Sequence, residues 1–150
     1  MGLQVGTLFV RRSMFICAPP ARVWEEFEDF EHFVAWFGRG HTLEAYEPQV
    51  GSTVALSVEI GGERRAFGGT VLVFEPQREL SFESNWHPPH AWPVPTFFTI
   101  RLGALYDGTL VEIFHHGFER LGPEAADNLQ GYEAGWTTNH LEALRSTVEA

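Results

Sequence analysis

The chain contains no lysine. Its ten cationic residues are all arginine, set against 20 Asp plus Glu, for a formal charge of −10 over 150 residues. Without lysine there is no side-chain amine for Schiff-base chemistry. An acidic surface repels phosphate backbones and anionic headgroups, so neither nucleic acid nor membrane is an expected partner. The only adjacent arginines, Arg11–Arg12 and Arg64–Arg65, fall in strand-like stretches and are expected to face solvent. The single cysteine, Cys17, excludes an internal disulfide and fits a reducing compartment. With cations only at a distance, it reads as a buried structural thiol and not as a nucleophile. No apolar run approaches the roughly 20 residues that span a bilayer. The opening MGLQVGTLFVRRSMF has no signal-peptide pattern and carries Gly6 where myristoylation wants Ser or Thr, so a soluble, cytoplasmic protein is expected. A G-x-S-x-G elbow, a phosphate loop and a dinucleotide fingerprint are all missing, and no cofactor is expected.

Aromatics, by contrast, are plentiful: 13 Phe and 5 Trp in a chain that is 14% aromatic. Such residues either line a ligand pocket or build a Phe-rich core, and composition leaves both open. The length suits one domain spanning 1–150, within the usual range of about 100–200 residues. Residues 3–17 alternate like a strand, which Pro19–Pro20 stops. In 20–37, Val23, Trp24, Phe27, Phe30, Phe33, Val34 and Phe37 recur at helical spacing, with a wet acidic face at 25–31. Asp29 is placed to recap the chain and split this segment into two short helices. From 41 to 120 the period is two, with strands predicted near 42–48, 52–60, 63–74, 78–86, 95–106 and 109–120. Gly61–Gly62 and Asp107–Gly108 read as two-residue hairpin turns, so the neighbours they join are antiparallel. After Gly122–Pro123 the pattern predicts one helix of about 25 residues. Gly131 and Gly135 inside it each cost roughly 1 kcal/mol against alanine. Close packing of helix on sheet is the expected reason, clearance for a ligand the other.

A seven-stranded antiparallel sheet with one apolar face must bury that face, and only the terminal helix is long enough to cover it. The expected class is therefore α+β: a curved seven-stranded sheet wrapped around a long C-terminal helix, with two short helices after the first strand. Three stretches carry a resemblance. ICAPPARVWEEFEDFEHFVAWFG at 16–38, GGTVLVFEPQRELSFES at 68–84, and GTLVEIFHHGF at 108–118 with GYEAGWTTNHLEAL at 131–144 resemble the START-like (SRPBCC) superfamily. Within it they are most similar to the branch homologous to the activator of heat-shock protein 90 ATPase. The resemblance implies the helix-grip fold and a cavity between sheet and long helix that takes an apolar or amphipathic small molecule. It also implies two alternatives, a polyketide cyclase or dehydratase and a chaperone partner. Because a fold hosts many activities, the site must decide.

Strand parity selects what points inward. Val111, Ile113, His115 and Gly117 are expected to face the cavity, as are Phe98, Ile100 and Leu102, and Leu80, Phe82, Ser84 and Trp86. Glu79, Ser81, Glu83, Asn85, Glu112, His116 and Arg120 are then expected outside. Phe114 and Phe118 fall on that outer face too, which suggests a homodimer contact. From the terminal helix, Tyr132, Trp136 and Asn139 complete the expected ligand-binding set of Phe82, Trp86, Phe98, Ile100, Val111, Ile113 and His115. His115 stands out because a buried imidazole needs partners. It reads as a core histidine bonded to carbonyl or helix groups, as a ligand donor, or as a general base, the one candidate for catalysis. The segment 85–95, NWHPPHAWPVP, places His87, His90 and Trp92 in a proline-stiffened lid or interface loop. A zinc site from His87, His90, His115 and His116 is disfavoured, because the prolines block helical spacing and no cysteine adjoins, so no metal is expected.

Overall fold

In the computed structural model, residues 2–38 and 40–150 are described, and of Gly135 the backbone alone. Strand β1 (Phe9–Ile16) ends before Pro19, and Pro20 opens helix α1 (Pro20–Trp24), where its missing N–H costs nothing. A 3-10 turn at Glu25–Phe27 leads to α2 (Phe30–Phe37). Asp29 begins that second helix as expected, its carboxylate accepting the His32 backbone N–H at 2.8 Å. Six strands follow: β2 (Thr42–Ala45), β3 (Thr53–Ile60), β4 (Glu63–Glu75), β5 (Glu79–Trp86), β6 (Thr96–Leu105) and β7 (Gly108–His116). Helices α3 (Ala125–Gly135) and α4 (Asn139–Glu149) close the chain.

Among the described residues seven strands form one antiparallel sheet in the order β1-β7-β6-β5-β4-β3-β2, the α+β helix-grip arrangement. Register shifts in β2 between Leu43 and Ala45, and in β4 between Val71 and Val73, are the irregularities that bend such a sheet. Its inner face, including Leu80, Phe82, Ile100, Val111 and Ile113, is buried against α1, α2 and α4. The α4 stripe of Leu141, Leu144 and Val148 supplies the opposing layer.

Several expectations are corrected. The C-terminal helix is broken: Trp136 is extended (φ −75°, ψ 134°), and helical geometry resumes at Asn139. Glycine and threonine crowd this stretch and hold a helix poorly. The β6–β7 turn is Tyr106–Asp107, one residue earlier than predicted, because Leu105 pairs with Gly108. β7 ends at His116, where Gly117 turns left-handed (φ 89°) and carries the chain into a 3-10 segment. Parity fails beyond that point, so Phe118 turns inward and is 0% exposed. Phe114 does lie on the outer face but is only 8% exposed, beneath the rings of Phe9 and the guanidinium of Arg101. Phe114 and Phe118 are therefore not the exposed phenylalanines on which the homodimer expectation rested. Glu79, Ser81 and His116 are buried as well. Residues ahead of β1, predicted as strand, instead reach this face: Leu3 N–H donates to Glu79 at 2.8 Å, and Arg101 donates to the Leu3 carbonyl. Glu26, in the expected wet face, is buried and paired with Arg22 at 2.8 Å. Cys17, expected inside, is exposed.

Candidate functional site

A cavity of about 590 Å³ opens between the sheet and the α3–α4 segment. Its β3–β4 wall is apolar, with Leu56, Val58 and Ile60 from β3 and Phe67 from β4, while Ser84 and Asn85 of β5 and His115 of β7 add polar groups. The α3–α4 segment adds the polar Asp127, Asn128, Thr137 and Asn139 beside the rings of Tyr132 and Trp136. Between them lie Phe37, Phe82, Phe98 and Trp136, which touch ring to ring: Phe82 and Phe98 stack at 5.3 Å, and Trp136 meets Phe98 at 5.2 Å. Among the described lining residues Asp127 is the one formally charged at neutral pH. Apolar space with a few fixed polar groups is the usual make-up of a small-molecule pocket.

His115 forms part of this lining, and its hydrogen bonds fix its tautomer. The Thr96 hydroxyl donates its proton to the Ser84 carbonyl at 2.9 Å, so its oxygen can only accept from His115 Nε2–H at 3.0 Å. On the other side the Trp136 indole N–H donates to His115 Nδ1 at 3.4 Å. Both ring nitrogens are engaged. Burial, with a smaller push from His116, pulls the His115 pKa down to about 3. Tyr132 packs edge-on against the imidazole at 4.8 Å, and burial raises its phenol to about 12, with the Trp86 indole N–H pulling the other way.

A second imidazole contact was not anticipated. His41 Nε2 donates to the Phe37 carbonyl at 2.7 Å and lies 3.4 Å from His140 Nε2. Burial holds the His41 pKa below its ordinary value, against the pull of that carbonyl. No periodic signal links two histidines 99 positions apart; they meet because α4 packs across α2.

Of the expected ligand-binding residues, Phe82, Trp86, Phe98, His115, Tyr132, Trp136 and Asn139 border the cavity, whereas Ile100, Val111 and Ile113 lie within the packed core. In the 85–95 loop, Trp92 borders the cavity and meets Tyr132 at 6.0 Å, held by two bonds between its backbone and the Asn85 amide. His87 and His90 are exposed and stand outside the lining. Leu56, Val58 and Ile60 share one parity and were legible as a wall. Gly131 also borders the cavity, and a Cβ built there would meet nothing within 4 Å. Close packing therefore does not explain this glycine. Among the described residues no three His, Cys, Asp or Glu side chains converge as metal ligands, and no helix is long and apolar enough to cross a membrane.

The family model for Activator of Hsp90 ATPase homolog 1-like protein matches residues 17–149. The chain belongs to that family. Several solved structures share its fold at low identity. MLL2253 from Mesorhizobium loti superposes with a TM-score of 0.71 at 22% identity, over 94% of this chain and 96% of that one. CV1439 from Chromobacterium violaceum gives 0.69 at 22%, covering 95% and 98%. The Aha1 dimer from Colwellia psychrerythraea gives 0.61 at 15%, covering 95% and 97%. At these identities the likeness concerns the fold alone. No curated protein matches the sequence.

Proposed function

We propose that this member of the Activator of Hsp90 ATPase homolog 1-like family binds a small apolar or aromatic molecule between its sheet and C-terminal helices, and performs no chemistry on it. The observation that carries this reading is the cavity itself: about 590 Å³ of space in which aromatic and aliphatic side chains are joined by polar groups such as Asn128, Asn139 and His115. The binding set is Phe82, Trp86, Phe98, His115, Tyr132, Trp136 and Asn139, to which Leu56, Val58 and Phe67 are added. The cyclase-type alternative is weaker. A general base works best with a pKa near the operating pH, and His115, at about 3 and bonded at both nitrogens, is far from that. The family supports a second reading, an interaction with a chaperone ATPase, tested by adding the protein to a chaperone and measuring ATP turnover. The single thiol, Cys17, fits a cytoplasmic setting for either role.

The neutral fluorescent probe N-phenyl-1-naphthylamine tests the binding reading. Saturable one-to-one binding is expected, weakened about tenfold or more in Trp136→Ala, which removes both an aromatic wall and the donor to His115. Native mass spectra of freshly purified protein should also show an added mass that disappears on denaturation. Absence of saturable binding, with a clean unliganded mass, would move the weight to the chaperone reading.

A further inference from the structure

Gly131 stands midway along α3, where glycine is a poor helix former. Three circumstances usually keep glycine in such a place. A left-handed backbone is one, but Gly131 is not among the positive-φ glycines. Close approach of another element is the second, and nothing lies within 4 Å of a Cβ built there. The third is space that something else must use. Gly131 is exposed and borders the cavity, so it stands on the rim. Asp127 and Asn128, one helical turn before it, border the cavity too, which turns this face of α3 toward the opening.

We propose that the bare backbone at Gly131 is the portal through which the cavity exchanges its ligand, and that the size of residue 131 sets how fast a molecule passes. The inference rests on the binding reading above. A side chain added at 131 obstructs the passage in both directions and leaves the inner walls untouched. Rates of association and dissociation therefore fall together while affinity changes little.

Stopped-flow mixing with N-phenyl-1-naphthylamine tests this on the full chain. Gly131→Ala is expected to melt about 2–4 °C higher, because alanine favours the helix, and to associate about threefold more slowly. Gly131→Phe is expected to associate at least about tenfold more slowly, with Kd within about threefold of wild type. Ala126→Phe, exposed on the same helix and away from the cavity lining, should bind at the wild-type rate. Should Gly131→Phe fail to melt cooperatively, Gly131→Leu takes its place with the same expectation. Wild-type association rates in the folded bulky variant would overturn the portal and leave the binding reading standing. So would a weakened Kd with association unchanged, since residue 131 would then be a wall contact. No saturable binding by the wild type would defeat the binding reading, and the portal with it.

Discussion

Between about pH 6.5 and pH 4 the protein is expected to lose several kcal/mol of stability, at a slope approaching 2.7 kcal/mol per pH unit where two histidines act together. His115 is pulled down to about 3 and His116 to about 4, the latter by burial first and by Arg101 second. Both titrate near 6.5 once unfolded. In the window between, the unfolded chain takes up protons that the folded chain refuses. The contribution is therefore complete above about pH 6.5, falls as the pH drops toward the folded values, and stops falling only below them. His41, also lowered by burial, acts in the same direction. Burial alone would raise the Glu79 carboxyl, but bonds from Ser81, Leu3 and Arg101 hold it below its ordinary value, so acid erodes its share as well. His32, raised by Asp29, works the opposite way, but that pair is exposed and screened by solvent. Urea unfolding at pH 7.5, 6.5, 5.5 and 4.5 measures the slope. His115→Gln or His116→Gln should each remove about one proton's share, or 1.4 kcal/mol per unit. A profile flat from pH 7 to 5 would mean that the folded protein protonates these rings after all.

Besides burial and Arg101, a hydrogen-bonded relay on the outer face gives His116 no use for a second proton. Ser81 donates to Glu79 at 2.6 Å, Ser81 and Thr99 oxygens lie 2.9 Å apart, and Thr99 meets His116 Nε2 at 2.7 Å. If the chain of donors runs from His116 through Thr99 and Ser81 to the carboxylate, every buried proton has an acceptor. The opposite orientation would leave an N–H on His116 Nδ1, which has no partner among the described residues. Protonation would create that same orphan donor. The relay that satisfies His116 in neutral solution thus adds to burial in making the protein labile in acid.

How much of this was legible depended on whether a signal was local. The strand pattern, the Asp29 cap and the Gly61–Gly62 turn are local, and the structure follows them. Parity placed Phe82, Phe98 and His115 on the inner face because β5, β6 and β7 are regular there. It misplaced Phe118 because a left-handed Gly117 ended the strand first, which one glycine in a sequence does not announce. It misjudged His116 and Glu79 because outside and exposed are different things once another segment covers the face. The His41–His140 contact and the partners of His115 are set by packing between distant elements and have no pattern in the chain. Gly131 was visible, but its reason was not: only the empty space beside it separates clearance from close packing.

Trp36→Ala is expected to cost about 3–5 kcal/mol, a large part of a typical domain's stability. Trp36 is completely buried, and its ring lies 5.2 Å from those of both Phe27 and Phe33 and 5.5 Å from that of Phe37. Its indole N–H donates to the Glu26 carbonyl at 3.0 Å, so truncation opens a cavity and strips a buried acceptor together. Trp36→Phe keeps much of the volume and should recover about half of the loss, the remainder measuring the lost hydrogen bond and the missing part of the indole. The consequence reaches the site. Phe37 borders the ligand cavity, packs edge-on against Phe82 and Phe98, and lends its carbonyl to His41. Loosening Trp36 should therefore weaken N-phenyl-1-naphthylamine binding as well as stability. Val148→Ala, in the core but away from the cavity lining, should lower stability and leave binding alone. Urea melts paired with probe titrations at a temperature where each variant is folded separate the two effects. Equal loss of binding in both variants would show that affinity follows global stability, and would remove the α2 aromatic cluster as a specific support of the cavity.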